Sequence, residues 1–438
     1  MATIYPFRGF RYNQEKVRDV SAVFAEPYDK ITPELQEKYY QRNPYNIVRF
    51  SKGKTTPQDD AQHNQYTRAR EFLERCIAEG ILVRDSREAL YIYNHEYLLP
   101  GAPSRTRHGF IALGRLEELG KGGVMPHERT LAGPKADRLN LMRATAAQSG
   151  LIFMLYADPE NEVTGALSRE SRRAPDIEAR DDDGVIHRVW VVTDENTHRA
   201  VMSLMEDKTL FIADGHHRYE TALNYRREMR ERGARCLPGN ETYDNHIMAF
   251  VSMHDRGLTI LPTHRLLFNL TPAQIASFPK ALTEFFRTER CADLADLLRR
   301  MSAQNDAEHR FGLYLGGTFT SLTLENEADV AGLMRADASD DWKRLDVSII
   351  HAILERLLGI DRKKLEEETN VAYERYADLA VKMVDAGRYQ AAIFLNPTKA
   401  WQVAKIAGNG ERMPQKSTDF YPKLYTGLVL NKLNLLQM

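Results

Sequence analysis

Apolar residues recur along this chain with two different periods, and each period predicts its own elements. Thr32-Pro-Glu-Leu has the threonine cap and first-turn proline that open a helix. Asp59 to Glu79 carries apolar residues at helical spacing and predicts a longer amphipathic helix. Ile81-Leu-Val-Arg and Ala89-Leu-Tyr-Ile-Tyr alternate as strands do, whereas Tyr5-Pro-Phe-Arg-Gly-Phe-Arg and Ala25-Glu-Pro-Tyr-Asp are punctuated as loops. Further on, His108 to Gly114, Leu151 to Tyr156 and Val185 to Val192 predict buried strands, with a helix over Leu139 to Gln148 and an exposed arginine-rich loop over Ser168 to Asp183. Leu210-Phe-Ile-Ala-Asp-Gly predicts a strand that meets a glycine and passes straight into a helix over His216 to Arg232. The last third predicts helices over Pro272 to Thr288, Trp342 to Leu358, Ala377 to Ala386 and Leu424 to Leu435, with strands at Arg310 to Leu315 and Gln390 to Leu395.

Interleaved helices and short apolar strands predict an α/β to α+β protein with more than one sheet. Three segments are expected: 1–106 packing on a core, 107–269 as that core, and 270–438 as an additional C-terminal α/β domain. The 438 residues are ample for several domains. Lys plus Arg number 60 against 61 for Asp plus Glu, a net charge of −1, so the clustered positive charge that nucleic acid or anionic membrane demands is not provided by composition. The longest uncharged apolar run, Gly150 to Ala157, falls far short of the roughly 20 residues of a membrane span, and the N-terminus lacks a signal-peptide plan. A cytoplasmic protein that binds neither membrane nor nucleic acid is expected. The three cysteines, Cys76, Cys236 and Cys291, form no C-x-x-C pair and predict neither a disulfide scaffold nor a cysteine-built zinc site.

The strongest chemical signal is Phe211-Ile-Ala-Asp-Gly-His-His-Arg-Tyr. Gly215 permits a tight turn, and His216, His217 and Arg218 then fall in the first helical turn, where free backbone N–H groups and the helix dipole favour an anion. The stretch reads as a phosphate cradle, with Asp214 placed to bind Mg²⁺ or orient a hydroxyl. It also reads as an ordinary Asp-Gly turn followed by surface histidines. Adjacent histidines diverge on a helix, which disfavours a histidine metal site. Near the C-terminus, Gly408 and Gly410 precede Lys416, Ser417, Thr418 and Lys423, hydroxyl and cationic donors suited to a lid or second phosphate clamp, although the Walker A spacing is absent. Packing of a loop on a sheet is the plain alternative. His264 and Arg265 lie between apolar neighbours, where a structural role is the better reading.

The Asp214-Gly-His-His-Arg turn resembles the signature of the ParB/sulfiredoxin superfamily, a strand–Gly–helix turn that binds nucleotide phosphates. Sulfiredoxins place a cysteine after the glycine, where this chain has His216. ParB proteins have Gly-Glu-Arg-Arg and an adjoining helix-turn-helix, which this sequence lacks. The version here is most similar to that of the free-serine kinases, which carry a catalytic glutamate in a His-Glu context upstream. Pro126-His-Glu supplies that context, and the resemblance implies Glu128 as general base, against its plain reading as a surface glutamate in a glycine-rich loop. Nearby Lys135, Asp137, Arg138 and Arg143 are either salt-bridge partners or further phosphate contacts. Taken in order, Pro6-Phe-Arg-Gly, Pro27-Tyr-Asp, Asn43-Pro-Tyr-Asn, Pro126-His-Glu, Asp214-Gly-His-His-Arg, Pro262-Thr-His-Arg and Met413-Pro-Gln-Lys-Ser-Thr resemble the family catalogued as domain of unknown function 1015. Glu26 and Asp419 depart from its usual proline and aromatic residue.

The resemblance implies a ParB/sulfiredoxin-like core and two functional readings. One is a nucleotide-dependent kinase of a small hydroxylated metabolite, free serine or a relative, using Mg²⁺ and ATP or ADP. Glu128 and Asp214 would be its catalytic residues, and Gly215 to Arg218 with Lys416, Ser417 and Thr418 its phosphate-binding residues. The other is a non-catalytic nucleotide-binding regulator of the ParB-like type.

Overall fold

The computed structural model describes residues 2–128, 132–305 and 308–436. The chain parts into two compact units, one of residues 1–258 together with 422–438, the other of residues 259–421. The second is therefore an insertion in the first, a division that differs from the three consecutive segments anticipated.

The strands of the first unit are β1 (Ile4–Tyr5), β2 (Phe10–Tyr12), β3 (Leu82–Arg84), β4 (Leu90–Tyr97), β5 (Arg105–Arg107), β6 (Phe110–Arg115), β7 (Val124–Pro126), β8 (Ala147–Gln148), β9 (Ile152–Tyr156), β10 (Ile177–Arg180), β11 (Ile186–Val192), β12 (Leu210–Asp214) and β13 (Asn245–Ser252). Its helices are α1 (Pro33–Arg42), α2 (Val48–Ser51), α3 (Gln65–Ala78), α4 (Ala132–Thr145), α5 (Glu162–Ser168), α6 (Glu195–Glu206) and α7 (His216–Glu231). Ten strands form one mixed sheet in the order β10-β11-β4-β6-β13-β9-β12-β7, with β1 on β6 and β5 on β4. Most neighbours are antiparallel; β13 with β9 and β12 with β7 are parallel. The segment before residue 107 thus supplies an interior strand, β4, as well as packing elements.

One sheet face is apolar, and Ile92, Phe110, Met154, Ile212 and Phe250 pack there with Val163 of α5, Val201 and Met205 of α6, and Tyr219 and Leu223 of α7. Polar side chains are buried elsewhere in the same unit. Tyr93 donates from its hydroxyl to His187 Nδ1 (2.8 Å), so the opposite ring nitrogen donates to Asp181 Oδ2 (3.1 Å), and His95 stands 5.0 Å from the His187 ring. All four are buried.

The second unit holds a six-stranded sheet and a separate two-stranded pair, and buries its own apolar core around Leu267, Phe286, Phe311, Ile350 and Ile393. His264 is buried and its Nδ1 accepts from Leu395 N (3.3 Å).

Several elements differ from their sequence expectation. The helix expected from Asp59 begins at Gln65, because the Asn64 side chain caps the N–H groups of Tyr66 and Thr67 while Thr67 answers back to the Asn64 N–H. The loop expected over Ser168 to Asp183 contains β10, whose alternating Ile177 and Ala179 are buried against β11. The helix expected over Pro272 to Thr288 ends at Leu282; Phe286 to Cys291 is a strand with charged residues facing outward between its two buried ends. Trp342 to Leu358 divides into Asp340–Lys343 and Asp346–Leu358.

The largest departure is the final segment, expected as a helix over Leu424 to Leu435. It is an extended strap in the first unit: Thr426 exchanges backbone hydrogen bonds with Ala25, Leu430 with Phe10, and Asn431–Lys432 pairs with β8. Leu424, Tyr425, Leu428, Val429, Leu430 and Leu433 are all buried, which an amphipathic helix with a solvated face would not achieve. Among the described residues, no helix is long and apolar enough to cross a membrane.

Burial pushes the pKa of His95, His187 and His246 down, Arg107 adding to the effect at His95 and Asp181 opposing it at His187; His246 falls to about 4. Their unfolded value is about 6.5. Between that value and the depressed folded values the unfolded chain binds more protons, so stability is full above about pH 6.5 and declines as the pH falls. Urea unfolding of the first unit between pH 7.5 and 4.5 is expected to show this loss, and His246→Gln to make it shallower.

Candidate functional site

β12 and β7 are the parallel pair at one edge of the sheet, registered Leu210 to Val124 and Ile212 to Pro126. Parallel strands leave a sheet at the same end, so the residues that follow each strand meet there. β12 ends on Asp214 and is followed by Gly215, and after β7 come His127 and Glu128. Gly215 adopts φ 95°, ψ 27°, a conformation favoured by glycine, and α7 starts at the next residue with no side-chain cap at its N-terminus. This is the strand–glycine–helix turn anticipated from the sequence.

His216 joins the two segments. Its Nε2 accepts from the backbone N–H groups of His127 (3.2 Å) and Glu128 (3.3 Å), which places the hydrogen of the neutral ring on Nδ1, 3.6 Å from Glu128 Oε2. His127 is fully buried; its Nδ1 donates to Ile212 O (2.7 Å), and its ring meets His216 edge-on at 4.7 Å between centroids. His127 Nε2 lies 3.9 Å from Glu128 Oε1. Glu128 therefore holds its carboxylate beside two oriented imidazoles while its side chain keeps 37 % exposure. The next residues of the loop, Arg129, Thr130 and Leu131, lie outside the described residues.

Arg218 turns back over the start of its own helix. It is 8 % exposed, donates to Leu151 O, and faces Asp214 Oδ1 at 3.4 Å. The side chain passes between two glycines: a Cβ on Gly150 would come within 3.1 Å of its Cδ, and one on Gly215 within 3.1 Å of its Nε. The other Asp214 oxygen faces Lys423 Nζ at 3.4 Å, from the strap. Burial acts to raise the Asp214 pKa, but Lys423 and Arg218, followed by His216 and Lys30, hold it well below the usual carboxylate range. Burial lowers the His217 pKa, opposed by Glu220 and Asp29.

The site is thus a helix N-terminus ringed by Arg218, Lys423 and Lys30, with one carboxylate, Asp214, among the cations and another, Glu128, on the adjoining loop. Such a place can hold an anionic ligand and present a carboxylate to it. Among the described residues no group of three or more His, Cys, Asp or Glu side chains forms a metal cage.

The other charged residues of the Pro-His-Glu region have ion-pair partners: Lys135 with Glu220 (2.8 Å), Arg138 with Asp137 (2.6 Å) and Arg143 with Glu228 (2.9 Å). Lys416, Ser417 and Thr418 belong to the second unit. There Lys416 faces Glu368 at 3.4 Å, Arg265 donates to the Lys416 carbonyl (3.3 Å), and Thr398 donates to the Ser417 carbonyl (2.7 Å). Asp419, one of the departures from the resembled pattern, pairs with Arg375 at 3.0 Å. Lys30 was not foreseen as a site residue, although Pro27-Tyr-Asp immediately before it is one of the recurring motifs. Lys423 was noted only as part of the C-terminal segment.

The family described as Protein of unknown function (DUF1015) matches residues 4–348. The chain belongs to the DUF1015 family. No curated protein matches this DUF1015 member in sequence. Among solved structures it is similar to a free serine kinase in complex with AMP, at 10 % identity and TM-score 0.33, covering 70 % of this chain and 92 % of that one. It is also similar to C-terminally truncated SbnI from Staphylococcus aureus (11 %, TM-score 0.31, 72 % and 84 %) and to a conserved hypothetical protein from Pyrococcus furiosus (11 %, TM-score 0.32, 69 % and 89 %).

Gly215→Ala is expected to destabilise the first unit by about 1–3 kcal/mol, the cost of holding a side chain at this φ, and to displace Arg218. Urea unfolding measures the first effect, and the altered position of Arg218 in a crystal structure of the variant reads the second.

Proposed function

We propose that this DUF1015 protein is a nucleotide-dependent kinase of a small hydroxylated metabolite, free serine or a relative, with a ParB/sulfiredoxin-like phosphate turn. The observation that carries the reading is the meeting of Glu128 with the start of α7, where its Oε2 lies 3.6 Å from His216 Nδ1. A carboxylate beside an anion-binding helix N-terminus is the pairing that phosphoryl transfer to a hydroxyl requires.

In this reading the N–H groups at the start of α7, with His216, His217 and Arg218, cradle the nucleotide phosphates. Lys423 and Lys30 add positive charge there. Glu128 accepts the proton of the acceptor hydroxyl as that oxygen forms a bond to the terminal phosphorus; the bond from this phosphorus to the bridging oxygen breaks, and ATP leaves as ADP, or ADP as AMP. His216 Nδ1–H keeps the carboxylate oriented without taking its proton-accepting capacity. The donor set suits Mg²⁺ that arrives on the nucleotide rather than a caged ion: Asp214 would offer one oxygen, and the ion would neutralise phosphate charge.

Glu128→Gln is expected to lower phosphate transfer about 10²–10⁴-fold while nucleotide affinity stays within about twofold. The measurement is a panel of nucleoside di- and triphosphates with Mg²⁺ and small hydroxylated acceptors, read by phosphorylated product and by binding. Tight nucleotide binding with no transfer to any acceptor would favour the non-catalytic ParB-like regulator instead. Lys416, Ser417 and Thr418 enter as the proposed lid: Lys416→Ala is expected to weaken nucleotide binding, and unchanged affinity with unchanged turnover would make the segment scaffold.

A further inference from the structure

Two motifs of the sequence, Pro262-Thr-His-Arg and Met413-Pro-Gln-Lys-Ser-Thr, meet inside the second unit. Arg265 lies on the strand His264–Leu267, antiparallel to Val371–Glu374 on one side and Ala391–Phe394 on the other. Side chains alternate along a strand, so Arg265 shares a sheet face with Leu267, which belongs to the apolar core. Directly opposite it stand Tyr373 and Ile393. A guanidinium thus occupies a position where the pattern calls for an apolar side chain, and it is 0 % exposed.

This buried cation has no carboxylate among the described residues. Its Nη1 donates to Thr263 O, and its Nη2 lies 3.3 Å from both His351 Nε2 and the Lys416 carbonyl. Burial and Arg265 itself keep His351 neutral, so that ring supplies no charge. Burial pushes the Arg265 pKa down to about 10, which leaves it charged at neutral pH. Its Nε–H is buried and has no hydrogen-bond partner. A charge removed from water in this way is costly unless an opposite charge joins it.

Tyr373 extends the same group. Its hydroxyl is also buried without a partner, and its ring centroid lies 5.5 Å from Arg265 Cζ and 5.3 Å from Lys416 Nζ. One carboxylate stands near, Glu368, at 3.4 Å from Lys416 Nζ. That pair is weak, because the two side chains are 43 % and 47 % exposed and water screens them. Two cations therefore face one carboxylate, and the buried one is the one left over.

The donors that remain decide the ligand. Both bidentate faces of a guanidinium use Nη2, which is engaged here, so the parallel two-bond clasp of a carboxylate is blocked. What remains is an Nε–H, a phenol hydroxyl and an ammonium on three separate side chains. Donors that converge from different side chains match the non-planar terminal oxygens of a phosphate group better than two coplanar carboxylate oxygens.

We propose that Arg265, Tyr373 and Lys416 form an anion site within the second unit that takes a doubly charged phosphate group. Arg265 Nε–H and the Tyr373 hydroxyl bind its oxygens, and Lys416 closes its outer side. Entry is past Lys416 and Tyr373, which are only partly buried. The site belongs to the second unit alone, and it stands whether or not the turn at Gly215 serves a kinase.

The test is hydrogen exchange of the full chain, read segment by segment in a mass spectrometer at slightly alkaline pH. The chain is measured alone, with inorganic phosphate and with acetate. Phosphate is expected to protect 264–267, 371–374 and 413–418, and acetate at equal concentration to leave them unprotected. Tyr373→Phe removes a hydroxyl that has no partner, so the ligand-free Tm is expected to stay or rise. In that variant, protecting the three segments is expected to take about tenfold more phosphate, the loss of one hydrogen bond to a charged group. Arg265→Met is expected to abolish the protection; should it not fold, Tyr373→Phe decides alone. No protection of these segments, equal protection by acetate, or a phosphate dependence unchanged in Tyr373→Phe would each overturn the site and leave its buried polar atoms to water. Phosphate protection of 214–218, present or absent, bears on the turn at Gly215, so the two assignments fail separately.

Discussion

The parallel pairing of β7 with β12 is the constraint on which the site depends. Had the two strands run antiparallel, the loops after them would leave at opposite ends of the sheet. As it is, Ile212 opposite Pro126 fixes where Glu128 can reach, and Ile212 O also takes the hydrogen of His127 Nδ1, so one strand position serves both register and ring orientation. The two N–H groups that follow β7 then settle on His216 Nε2. A backbone ladder, rather than any contact between charges, decides that a glutamate stands beside a helix N-terminus.

Charge enters as a second layer. Asp214 sits where burial alone would favour its neutral form, and it is kept ionised by cations from three distant stretches: Lys30 from the loop before α1, Arg218 from α7 and Lys423 from the strap. Arg218 and Lys423 are more useful to an incoming anion than a lone surface lysine, because their positions are set against Asp214 before the ligand arrives. Asp214 holds their places. When phosphate oxygens approach, part of the attraction now directed at Asp214 can be shared with them with little rearrangement of side chains.

How much of this could be read from the sequence depends on how local each feature is. The turn at Gly215 and the start of α7 were legible to the residue, since a strand, a glycine and a helix follow one another without a gap. The mixed, multi-sheet character was legible from interleaved periods. The nearness of Glu128 to His216 came only from resemblance, because 86 positions separate Glu128 from Asp214 and nothing in the intervening periodicity states that β7 and β12 are parallel neighbours. The strap was misread for a physical reason: Leu424 to Leu435 is buried almost throughout, polar Thr426 and Asn431 included, so its apolar residues mark no single helical or strand face.

The insertion of residues 259–421 between Leu258 and Pro422 has a consequence for how the protein comes into being. Synthesis proceeds from the N-terminus, and domains tend to fold as they emerge. By the time Leu258 has been made, every strand of the large sheet exists, yet the strap that joins Phe10, Ala25 and β8 is still missing. The ribosome must first complete the whole of the second unit. Lys423 is therefore delivered only after the second unit, and Asp214 passes that interval with one of its cations absent. A nascent chain in this state would possess the sheet and the turn at Gly215 without the full set of positive groups, so the anion site is completed only after the second unit has been made.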